Sequence, residues 1–291
     1  MSWQQRAGST RIGLVVHGGR PAARTAAHQA AQLLRSPGVE LVGCLSDGWS
    51  DAHIEERDDA DFGVGLDVVL VFGGDGTFLR AAYLARDRGV PLLLVNLGRL
   101  GFLAEVEVGD VPEAVGRVLA GDFVVEERMT LTIDVCDAQG AVTGTSWALN
   151  EASVERTVPQ RLVVLEVRVG ETLFAQVPGD GVILATPTGS TAYAFSAGGP
   201  IMSPLVNAIL LQPVAPHSLF DRTLVVEPGE SLSVRPVTED NPCVVSCDGR
   251  QPLRVPLGGE VRVARGDAPV RLARLGRFDF YKRVREKFGL R

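Results

Sequence analysis

The sequence has little cysteine and no long apolar run. Its 291 residues include four cysteines and no Cys-x-x-Cys pair, so nothing in it indicates a disulfide framework or a zinc site. Cys243 and Cys247 would share one face of a strand, and we interpret them as buried small residues rather than metal ligands. The longest apolar runs cover about five residues, whereas a membrane span needs roughly 20. Residues 1–11 lack the apolar core of a signal peptide, so we expect a soluble, cytoplasmic protein.

Basic charge is not in excess either. Lys and Arg number 29 against 35 Asp and Glu, and the net charge of −6 argues against DNA or RNA as a partner. Two common glycine-rich nucleotide motifs are also missing. No G-x-x-x-x-G-K-[ST] loop occurs, and His17-Gly18-Gly19-Arg20 stands where a dehydrogenase would carry G-x-G-x-x-G. The sequence therefore argues against a Walker-type NTPase and against a dehydrogenase.

The first third of the chain alternates short apolar runs with helical patterns. Such alternation predicts an α/β domain with a parallel, Rossmann-like sheet. The run at 67–72, Asp-Val-Val-Leu-Val-Phe, has a fully apolar core, which indicates a strand buried on both faces. Residues 46–65 are polar and acidic, and we predict a loop or short helix there. The predicted strands are 11–16, 39–44, 67–72 and 90–95, and the predicted helices are 22–34, 77–88 and 111–119.

After about residue 122 the pattern changes to short strands separated by Gly, Pro and Asp turns. We predict an α/β domain over 1–121 and an all-β domain of two packed sheets over 122–275. One of its strands is predicted to run unbroken over 123–135. The tail at 276–291 can return to the first domain. In this second part of the chain, helices are predicted near 191–196, 205–210 and 280–288.

The strongest chemical signal is Gly73-Gly74-Asp75-Gly76-Thr77, which stands between an apolar strand and a helix. Glycines let a backbone approach an anion, and a helix N-terminus offers free N–H groups, so this junction favours phosphate binding. Asp75 is unusual there, because a carboxylate repels phosphate. A carboxylate makes sense if it accepts a proton from a hydroxyl nucleophile or helps to hold a metal ion. The structural alternative is that Asp75 only caps the helix and the glycines form a tight turn.

Three further segments carry polar groups suited to a nucleotide. Residues 96–103 follow the next buried strand, so Arg99 is a candidate phosphate contact at the same sheet edge, although a solvated loop arginine fits equally well. The stretch 179–200 is rich in glycine and small hydroxyl residues, and its Tyr193 offers a ring on which a base can stack. A glycine-rich turn before a helix is the plain alternative. Asn150-Glu151 could hold a base edge and ribose hydroxyls, but the pair alone is a weak signal.

In this order, the four segments resemble the NAD kinase family. The resemblance rests on GGDGT at 73–77, N-x-G-x-L-G-F-L at 96–103, Asn-Glu at 150–151 and the G-D-G…T-P-T-G-S-T-A-Y…G-G-P block at 179–200. The last block separates this family from lipid kinases and phosphofructokinases with similar glycine-aspartate loops. The resemblance implies a kinase that transfers the γ-phosphate of ATP, or in some bacterial members of polyphosphate, to the 2′-hydroxyl of the adenosine ribose of NAD. It also implies a requirement for Mg²⁺ and assembly into dimers or tetramers.

The resemblance further implies roles for particular residues. Asp75 would accept the proton of the 2′-hydroxyl. Asp180 would make a polar contact at the nicotinamide end, where a neighbouring subunit can complete the site. No protein side chain is implied as a metal ligand. The contacts to phosphate would be Gly74, Gly76 and Thr77, those to the adenosine end Asn150 and Glu151, and those to the nucleoside parts Thr188, Thr191, Ala192, Tyr193 and Ser196.

The chain departs from the family pattern in a few places, among them alanine where many members have serine, as at Ala185, and two other functions stay open. Pro178 stands where a variable or basic residue is expected, and Asp248-Gly249-Arg250 replaces a D-G-Q turn, so Arg250 is given no role. The alternatives are a lipid or sugar kinase of the wider GGDGT group and a non-catalytic NAD-sensing protein. The intact Asp75 argues against the second.

Overall fold

The chain is divided into two units, each with its own hydrophobic core. The computed structural model describes residues 9–98, 101–159, 161–237, 242–276 and 278–290. The first unit consists of two pieces of chain, Met1–Glu127 and Ala268–Arg291, and the second unit is the continuous stretch Arg128–Asp267. Within the described parts of the chain, no helix combines the length and the apolarity needed to cross a membrane.

The first unit is built on one mainly parallel sheet covered by helices. Numbered through both units in chain order, its strands are β1 (Thr10–Val16), β2 (Val39–Cys44), β3 (Ile54–Arg57), β4 (Val68–Gly73), β5 (Leu92–Asn96), β6 (Val106–Glu107), β7 (Val124–Arg128) and β20 (Val270–Arg274). Its helices are α1 (Pro21–Leu34), α2 (Asp75–Ala85), α3 (Val111–Leu119) and α5 (Phe280–Phe288), with short 3₁₀ turns at Leu45–Asp47, Arg86–Arg88 and Val108–Asp110. The strand order is β3-β2-β1-β4-β5-β20-β7, and β6 also pairs with β5. The predicted α/β domain with a parallel sheet is confirmed.

The sequence explains this arrangement locally. All six residues of β4 are buried, as expected for a parallel strand that is covered on both faces. Helix α1 buries a face made largely of alanine, including Ala23, Ala27 and Ala30, which lets it lie close to the sheet. Pro21 occupies its first turn, where a missing N–H costs nothing.

The strand register brings three loops to one edge of this sheet. Val16 lies opposite Phe72, and Gly73 lies opposite Asn96, so β1, β4 and β5 end at the same level. Because parallel strands place their carboxyl ends together, the loops that follow these three strands share one rim. The GGDGT loop is the middle one of the three.

The second unit contains two antiparallel sheets. Its strands are β8 (Leu131–Cys136), β9 (Val142–Ala148), β10 (Glu151–Arg156), β11 (Val163–Val169), β12 (Thr172–Gly179), β13 (Gly181–Ala185), β14 (Ile209–Val214), β15 (Leu224–Val226), β16 (Leu232–Pro236), β17 (Cys243–Cys247), β18 (Leu253–Arg254) and β19 (Glu260–Arg265). A 3₁₀ turn at Gly189–Thr191 leads into the short helix α4 (Tyr193–Ser196). The strand orders are β15-β14-β13-β10-β17-β18 and β12-β11-β16-β19-β8-β9.

The two sheets of the second unit share one core. Leu131 and Val261 come from one sheet, Val154 and Val182 come from the other, and all four side chains are buried in a single cluster. Cys243 and Cys247 are buried in the same cluster as ordinary apolar side chains. The predicted all-β domain of two packed sheets is therefore confirmed.

The structure draws the domain boundaries differently from the sequence. The stretch predicted as one strand over 123–135 is two strands, and β7 lies in the first sheet while β8 lies in the second unit. Strand β20 also belongs to the first sheet, although the sequence predicts residues 122–275 as one all-β domain. The error has a physical reason: both strands have ordinary strand patterns, and strand pattern does not reveal which sheet a strand joins.

Two local predictions in these units are wrong. No helix forms at 205–210, where a turn leads directly into the buried strand β14. Residues 46–65 contain the edge strand β3 as well as a 3₁₀ turn. The run at 205–210 and the four-residue strand β3 are both short, and short runs do not distinguish strand from helix.

The tail forms helix α5 over the predicted residues and contacts the rest of the first unit. Asp279 caps it by accepting a hydrogen bond from the N–H of Lys282 at 3.0 Å. The rings of Phe280 and Phe288 both lie close to Phe102, with centroid distances of 6.3 and 6.2 Å.

Candidate active site

The first unit has a cleft of about 460 Å³ at the rim where β1 and β4 end. We call it the glycine-loop cleft. Predicted site residues on its wall are Asp75 and its neighbours Gly74, Gly76 and Thr77. Four other residues of its wall are not among the predicted site residues: His17, Gly18, Arg20 and Arg80. The cleft therefore brings the predicted acid together with two guanidinium groups.

Asp75 is held by the neighbouring loop. Its Oδ2 accepts a hydrogen bond from the N–H of Phe102 at 3.0 Å, and its Oδ1 accepts one from the N–H of Leu103 at 3.3 Å. A Cβ at Gly101 would overlap this carboxylate, so glycine at 101 lets the loop and the Asp75 side chain approach this closely. The N-cap residue of α2 is Gly74 rather than Asp75. The carboxylate is thus positioned by the 101–103 loop.

The glycines of the GGDGT loop have different roles. Gly73 makes room for Thr77, because a Cβ at Gly73 would strike the threonine hydroxyl. At Gly74 and Gly76, by contrast, a Cβ would meet no atom of the described residues within 4 Å, and neither glycine has a positive φ. Neither packing nor backbone conformation in the described part of the chain therefore explains glycine at positions 74 and 76. Open space beside a helix N-terminus is what a closely bound anion needs.

In the second predicted loop, Asn96 makes hydrogen bonds within the protein. The side-chain amide of Asn96 donates to Glu107 at 3.1 and 3.2 Å, and its carbonyl oxygen accepts from the N–H of Gly98 at 3.3 Å. Asn96 therefore shapes the loop that carries Gly101. Arg99, predicted as a phosphate contact, lies outside the described residues.

In the second unit, Asp248 organises the Asn150-Glu151 segment. Its carboxylate accepts hydrogen bonds from the N–H groups of Leu149 and Asn150, each at 2.7 Å, and of Glu151 at 3.1 Å. Asp248 itself has a φ of 51°, in the left-handed region, which aspartate tolerates better than most residues. Burial raises the pKa of Asp248, while the three N–H donors act in the opposite direction. Sequence reasoning gave Asp248 no role, although its D-G turn directly after a strand was a usable signal.

Glu151 lies in an acidic neighbourhood. Burial, and next the Asp248 carboxylate, raise the pKa of Glu151 to about 7, against a lowering contribution from the N–H of Tyr193. Its Oε2 is buried without a hydrogen-bond partner among the described residues. On the same strand, Oε1 of Glu155 is also buried without a hydrogen-bond partner among the described residues. These unsatisfied acceptors could receive hydroxyl or amide donors of a ligand.

The raised pKa makes a prediction for stability. A folded-state pKa near 7, against an unfolded value of 4.5, means that the folded chain holds a proton that the unfolded chain has released. This residue's contribution to the free energy of unfolding should therefore fall as the pH rises from about 4.5 to about 7. Glu151→Gln should remove that fall, worth about 1–3 kcal/mol, in urea unfolding measured from pH 5 to pH 8. Glu171→Gln, at an exposed position of the same unit, is the control. Parallel pH profiles of wild type and Glu151→Gln would contradict the prediction.

Tyr193 stands at the start of α4, where its ring is accessible, with 39% of the residue exposed. Burial of its hydroxyl end, and next the charge of Glu155, raise the pKa of Tyr193 to about 12. The nearby Asp180 is paired with Arg156, whose Nε donates to Asp180 Oδ1 at 2.7 Å. The structure therefore groups Glu151, Tyr193 and Asp180, which lie in separate stretches of the sequence.

The threonine-rich segment is more buried than the sequence indicated. Thr186 donates to the carbonyl of Leu149 at 2.5 Å, and Thr188 accepts from Arg128 at 3.2 Å. Both threonines are at most 7% exposed, so their hydroxyls mainly fix the loop. Gly189 lies so close to the backbone of Asn150 that no side chain would fit. The remaining predicted contacts are more accessible: Thr191 and Ala192 are half-buried and Ser196 is exposed.

Comparison with known proteins agrees with these motifs. The family model for the ATP-NAD kinase N-terminal domain matches residues 40–123, and the model for the ATP-NAD kinase C-terminal domain matches residues 149–275. The chain belongs to the NAD kinase family. It is 41% identical to an NAD kinase of Nocardia farcinica over 303 residues, which covers 97% of this chain and 92% of that protein. It is 43% identical to NAD kinase 2 of Streptomyces avermitilis over 283 residues, covering 95% and 93% of the two chains.

Solved structures of an NADH kinase and of an NAD kinase share the fold. A yeast NADH kinase complexed with NADH superposes with a TM-score of 0.88 at 24% identity, covering 98% of this chain and 89% of that one. An NAD kinase from Archaeoglobus fulgidus in complex with ATP gives a TM-score of 0.73 at 24% identity, covering 97% and 98%. The function of this member of the NAD kinase family is that of an NAD kinase, a phosphotransferase. None of these matches favours a lipid kinase, a sugar kinase or a non-catalytic sensor.

One departure from the NAD kinase pattern has a structural use. Arg250, in place of glutamine, donates from Nε to the carbonyl of Cys247 at 3.1 Å and lies over the Trp147 ring, with its Cζ 4.9 Å from the centroid. Its Nη2 also contacts the carbonyl of Trp147. Arg250 thus secures the turn that carries Asp248.

Proposed function

We propose that this chain transfers the γ-phosphate of ATP to the 2′-hydroxyl of the adenosine ribose of NAD, with Asp75 as the general base. The observation that carries the proposal is the position of Asp75, fixed by two backbone N–H groups in a cleft that also contains Arg20, Arg80 and the open glycines 74 and 76. Such a cleft offers what in-line phosphoryl transfer requires: a proton acceptor beside fixed positive charge.

The chemical step is a displacement at phosphorus. Asp75 takes the proton of the 2′-hydroxyl while that oxygen forms a bond to the γ-phosphorus. The bond between the γ-phosphorus and the bridging oxygen breaks, and ADP leaves with the electron pair. The N–H groups at the start of α2, near Gly74 and Gly76, would lie against the phosphates, and Thr77 would support them. A general base contributes about 10²–10⁴-fold, and positioning supplies most of the remaining rate.

The residues of the glycine-loop cleft fit a divalent cation that arrives with the donor. Asp75 is the one carboxylate among the described residues of its wall, and the described residues contain no group of three or more metal-binding side chains. Mg²⁺ usually keeps several waters and binds substrate phosphates, so an ion that arrives with the donor needs few protein ligands and leaves Asp75 to act as the base. When bound, the ion would offset negative charge on the phosphates. We therefore propose Mg²⁺ as the cation, held mainly by the donor.

The second unit is proposed to bind NAD. Asn150 and Glu151 would hold the adenosine end, supported by the unsatisfied oxygen of Glu151. Tyr193 would stack on a base, and Asp180 would contact the nicotinamide end. The other proposed contacts are Thr188, Thr191, Ala192 and Ser196, among which the burial of Thr188 favours a supporting role.

We also propose self-association into a dimer or tetramer, and a cytoplasmic location. Support for self-association is the apolar surface of β12, an edge strand, on which Leu173 is 48% exposed and Phe174 forms a T-shaped contact with Phe220. Support for the location is the set of four buried, unbridged cysteines. Light scattering of the purified chain would give the oligomeric state.

One assay tests the proposed activity. NADP formation would be measured with NAD and Mg²⁺ together with ATP, another nucleoside triphosphate or polyphosphate, and NADPH formation would be measured with NADH in place of NAD. We expect NADP from NAD and at least one donor. Tight NAD binding without product from any donor would overturn the proposal, as would phosphorylation of a diacylglycerol in place of NAD.

A further inference from the structure

We propose that Arg80, held in place by the buried carboxylate of Asp47, contacts the phosphates of the phosphoryl donor. This inference rests on the proposed function, because it gives the glycine-loop cleft a further donor-binding residue. Asp47 would be a positioning residue that acts through Arg80.

Asp47 is a buried acid with well-defined partners. It follows β2 in a 3₁₀ turn, and only 4% of the residue is exposed. Its Oδ2 accepts from the N–H of Val16 at 3.0 Å, and its Oδ1 lies 2.7 Å from Nη1 of Arg80. Its backbone carbonyl also accepts from Arg24 at 2.8 Å. An ionised carboxylate this deeply buried is costly unless it is paired, so Asp47 fixes Arg80 strongly.

The other contacts of Arg80 hold its guanidinium at the sheet rim. Nη1 donates to the carbonyl of Val16 at 3.2 Å, and Nη2 donates to Oγ of Ser46 at 2.9 Å. Val16 is the last residue of β1 and lies opposite Phe72, which directly precedes the GGDGT loop. Although Arg80 is in the second turn of α2, its charge therefore lies near the helix N-terminus.

Arg80 is nevertheless not sealed into the protein. Its side chain is 33% exposed, against 2% for that of Asp47, and it forms part of the cleft wall together with Gly74, Asp75 and Gly76. A pair that served only to neutralise Asp47 would not require this opening. The planar guanidinium fork suits phosphate oxygens, and its anchoring means that little side-chain freedom is lost when a phosphate binds.

The donor is therefore expected to make two kinds of contact in this cleft. Backbone N–H groups at the start of α2 would hold the phosphate group near Asp75, and Arg80 would hold a neighbouring phosphate group of the same donor molecule. Because neither contact involves the acceptor, loss of Arg80 should weaken ATP binding and leave NAD binding nearly unchanged.

The test compares Arg80→Gln, Arg80→Lys and Asp47→Asn with wild type in steady-state assays. Loss of a charged hydrogen bond to phosphate should raise the KM for ATP about 10–100-fold in Arg80→Gln, with the KM for NAD changed less than about 2-fold. Arg80→Lys should recover part of the loss. Asp47→Asn should raise the KM for ATP about 3–10-fold, because the arginine stays but is held less firmly. Arg86→Gln, further along the chain and paired with Asp87, is the matched control.

Two kinetic results would overturn the inference. One is an unchanged KM for ATP in Arg80→Gln, and the other is an equal rise in the KM values for ATP and NAD, which a merely structural defect would produce. If Arg80→Gln does not fold, the same comparison is made with Arg80→Lys and Asp47→Asn. Calorimetric titration of wild type and the Arg80 variants with ATP and with inorganic tripolyphosphate distinguishes a failure of the proposed function from a failure of the role of Arg80. A wild type that makes no NADP overturns the proposed function, whereas equal tripolyphosphate affinity in wild type and Arg80 variants overturns the role of Arg80.

Discussion

Asp75→Asn is expected to lower kcat by about 10²–10⁴-fold while the chain stays folded and keeps its affinity for NAD. The amide has the size of the carboxylate but cannot accept the proton of the ribose hydroxyl. It can still accept one of the two hydrogen bonds that Phe102 and Leu103 donate, so the loop should remain close to its present position. The measurement is NADP formation at saturating NAD and ATP, together with calorimetric titration of NAD.

The matched control for this variant is Asp87→Asn. Asp87 is exposed in the 3₁₀ turn that follows α2 and pairs with Arg86 at 2.7 Å. Its replacement should leave kcat within a factor of about two, since exposed ion pairs contribute little. Turnover at the wild-type rate by Asp75→Asn would remove this residue from the proposed mechanism.

Asp248→Ala should cost about 3–5 kcal/mol in the free energy of unfolding and raise the KM for NAD. The carboxylate accepts hydrogen bonds from three consecutive N–H groups, at Leu149, Asn150 and Glu151, and alanine would leave them without that acceptor. Alanine would also be strained at a φ of 51°. The segment that is proposed to hold adenosine would then lose its anchor. Urea unfolding and steady-state kinetics measure the two effects.

Two further variants separate the hydrogen bonds from the strain. Asp248→Gly removes the carboxylate but accepts the positive φ, so its loss should come from the missing acceptor alone. Asp137→Ala is the matched control, because Asp137 also accepts from two backbone N–H groups, of Gln139 and Ala141, in an exposed turn. Its cost should be about 1 kcal/mol. A loss below about 1 kcal/mol in both Asp248 variants would contradict the proposed anchor.

Strands with unmistakable patterns were predictable from the sequence, and their sheet membership was not. The run that forms β4 is apolar on both faces, which favours a strand covered on both sides, and all six of its residues are buried. The stretch 123–135, by contrast, alternates only in its second half, and it crosses from one sheet to another between β7 and β8. Strand β20 joins β5, a partner about 180 positions earlier. Pairings at such separations depend on tertiary packing and leave no local signal.

In the candidate site too, residues of local motifs could be predicted from the sequence, and residues that act through distant contacts could not. The glycines and the acid of the GGDGT loop form a local motif, so Asp75 could be singled out from sequence. The pairing of Asp47 with Arg80 spans 33 positions and depends on how the turn after β2 meets α2. Asp248 reaches Asn150 across 98 positions. Such contacts become visible only when the strands are aligned, and for this reason the residues that support the predicted ones were missed.

The first unit is built from two separate stretches of the chain, and this has a consequence for biosynthesis. Its sheet needs β20 between β5 and β7, so it cannot be completed until residue 274 has left the ribosome. The second unit is one uninterrupted stretch that ends at Asp267, and all of its strands emerge earlier. The second unit should therefore complete its fold on the ribosome before the first unit does, although translation of the first unit begins earlier. A nascent chain stalled before β20 would leave β5 unpaired near Leu92, although β6 can still pair with Val95 and Asn96, and an exposed strand edge of this kind is a natural binding surface for chaperones.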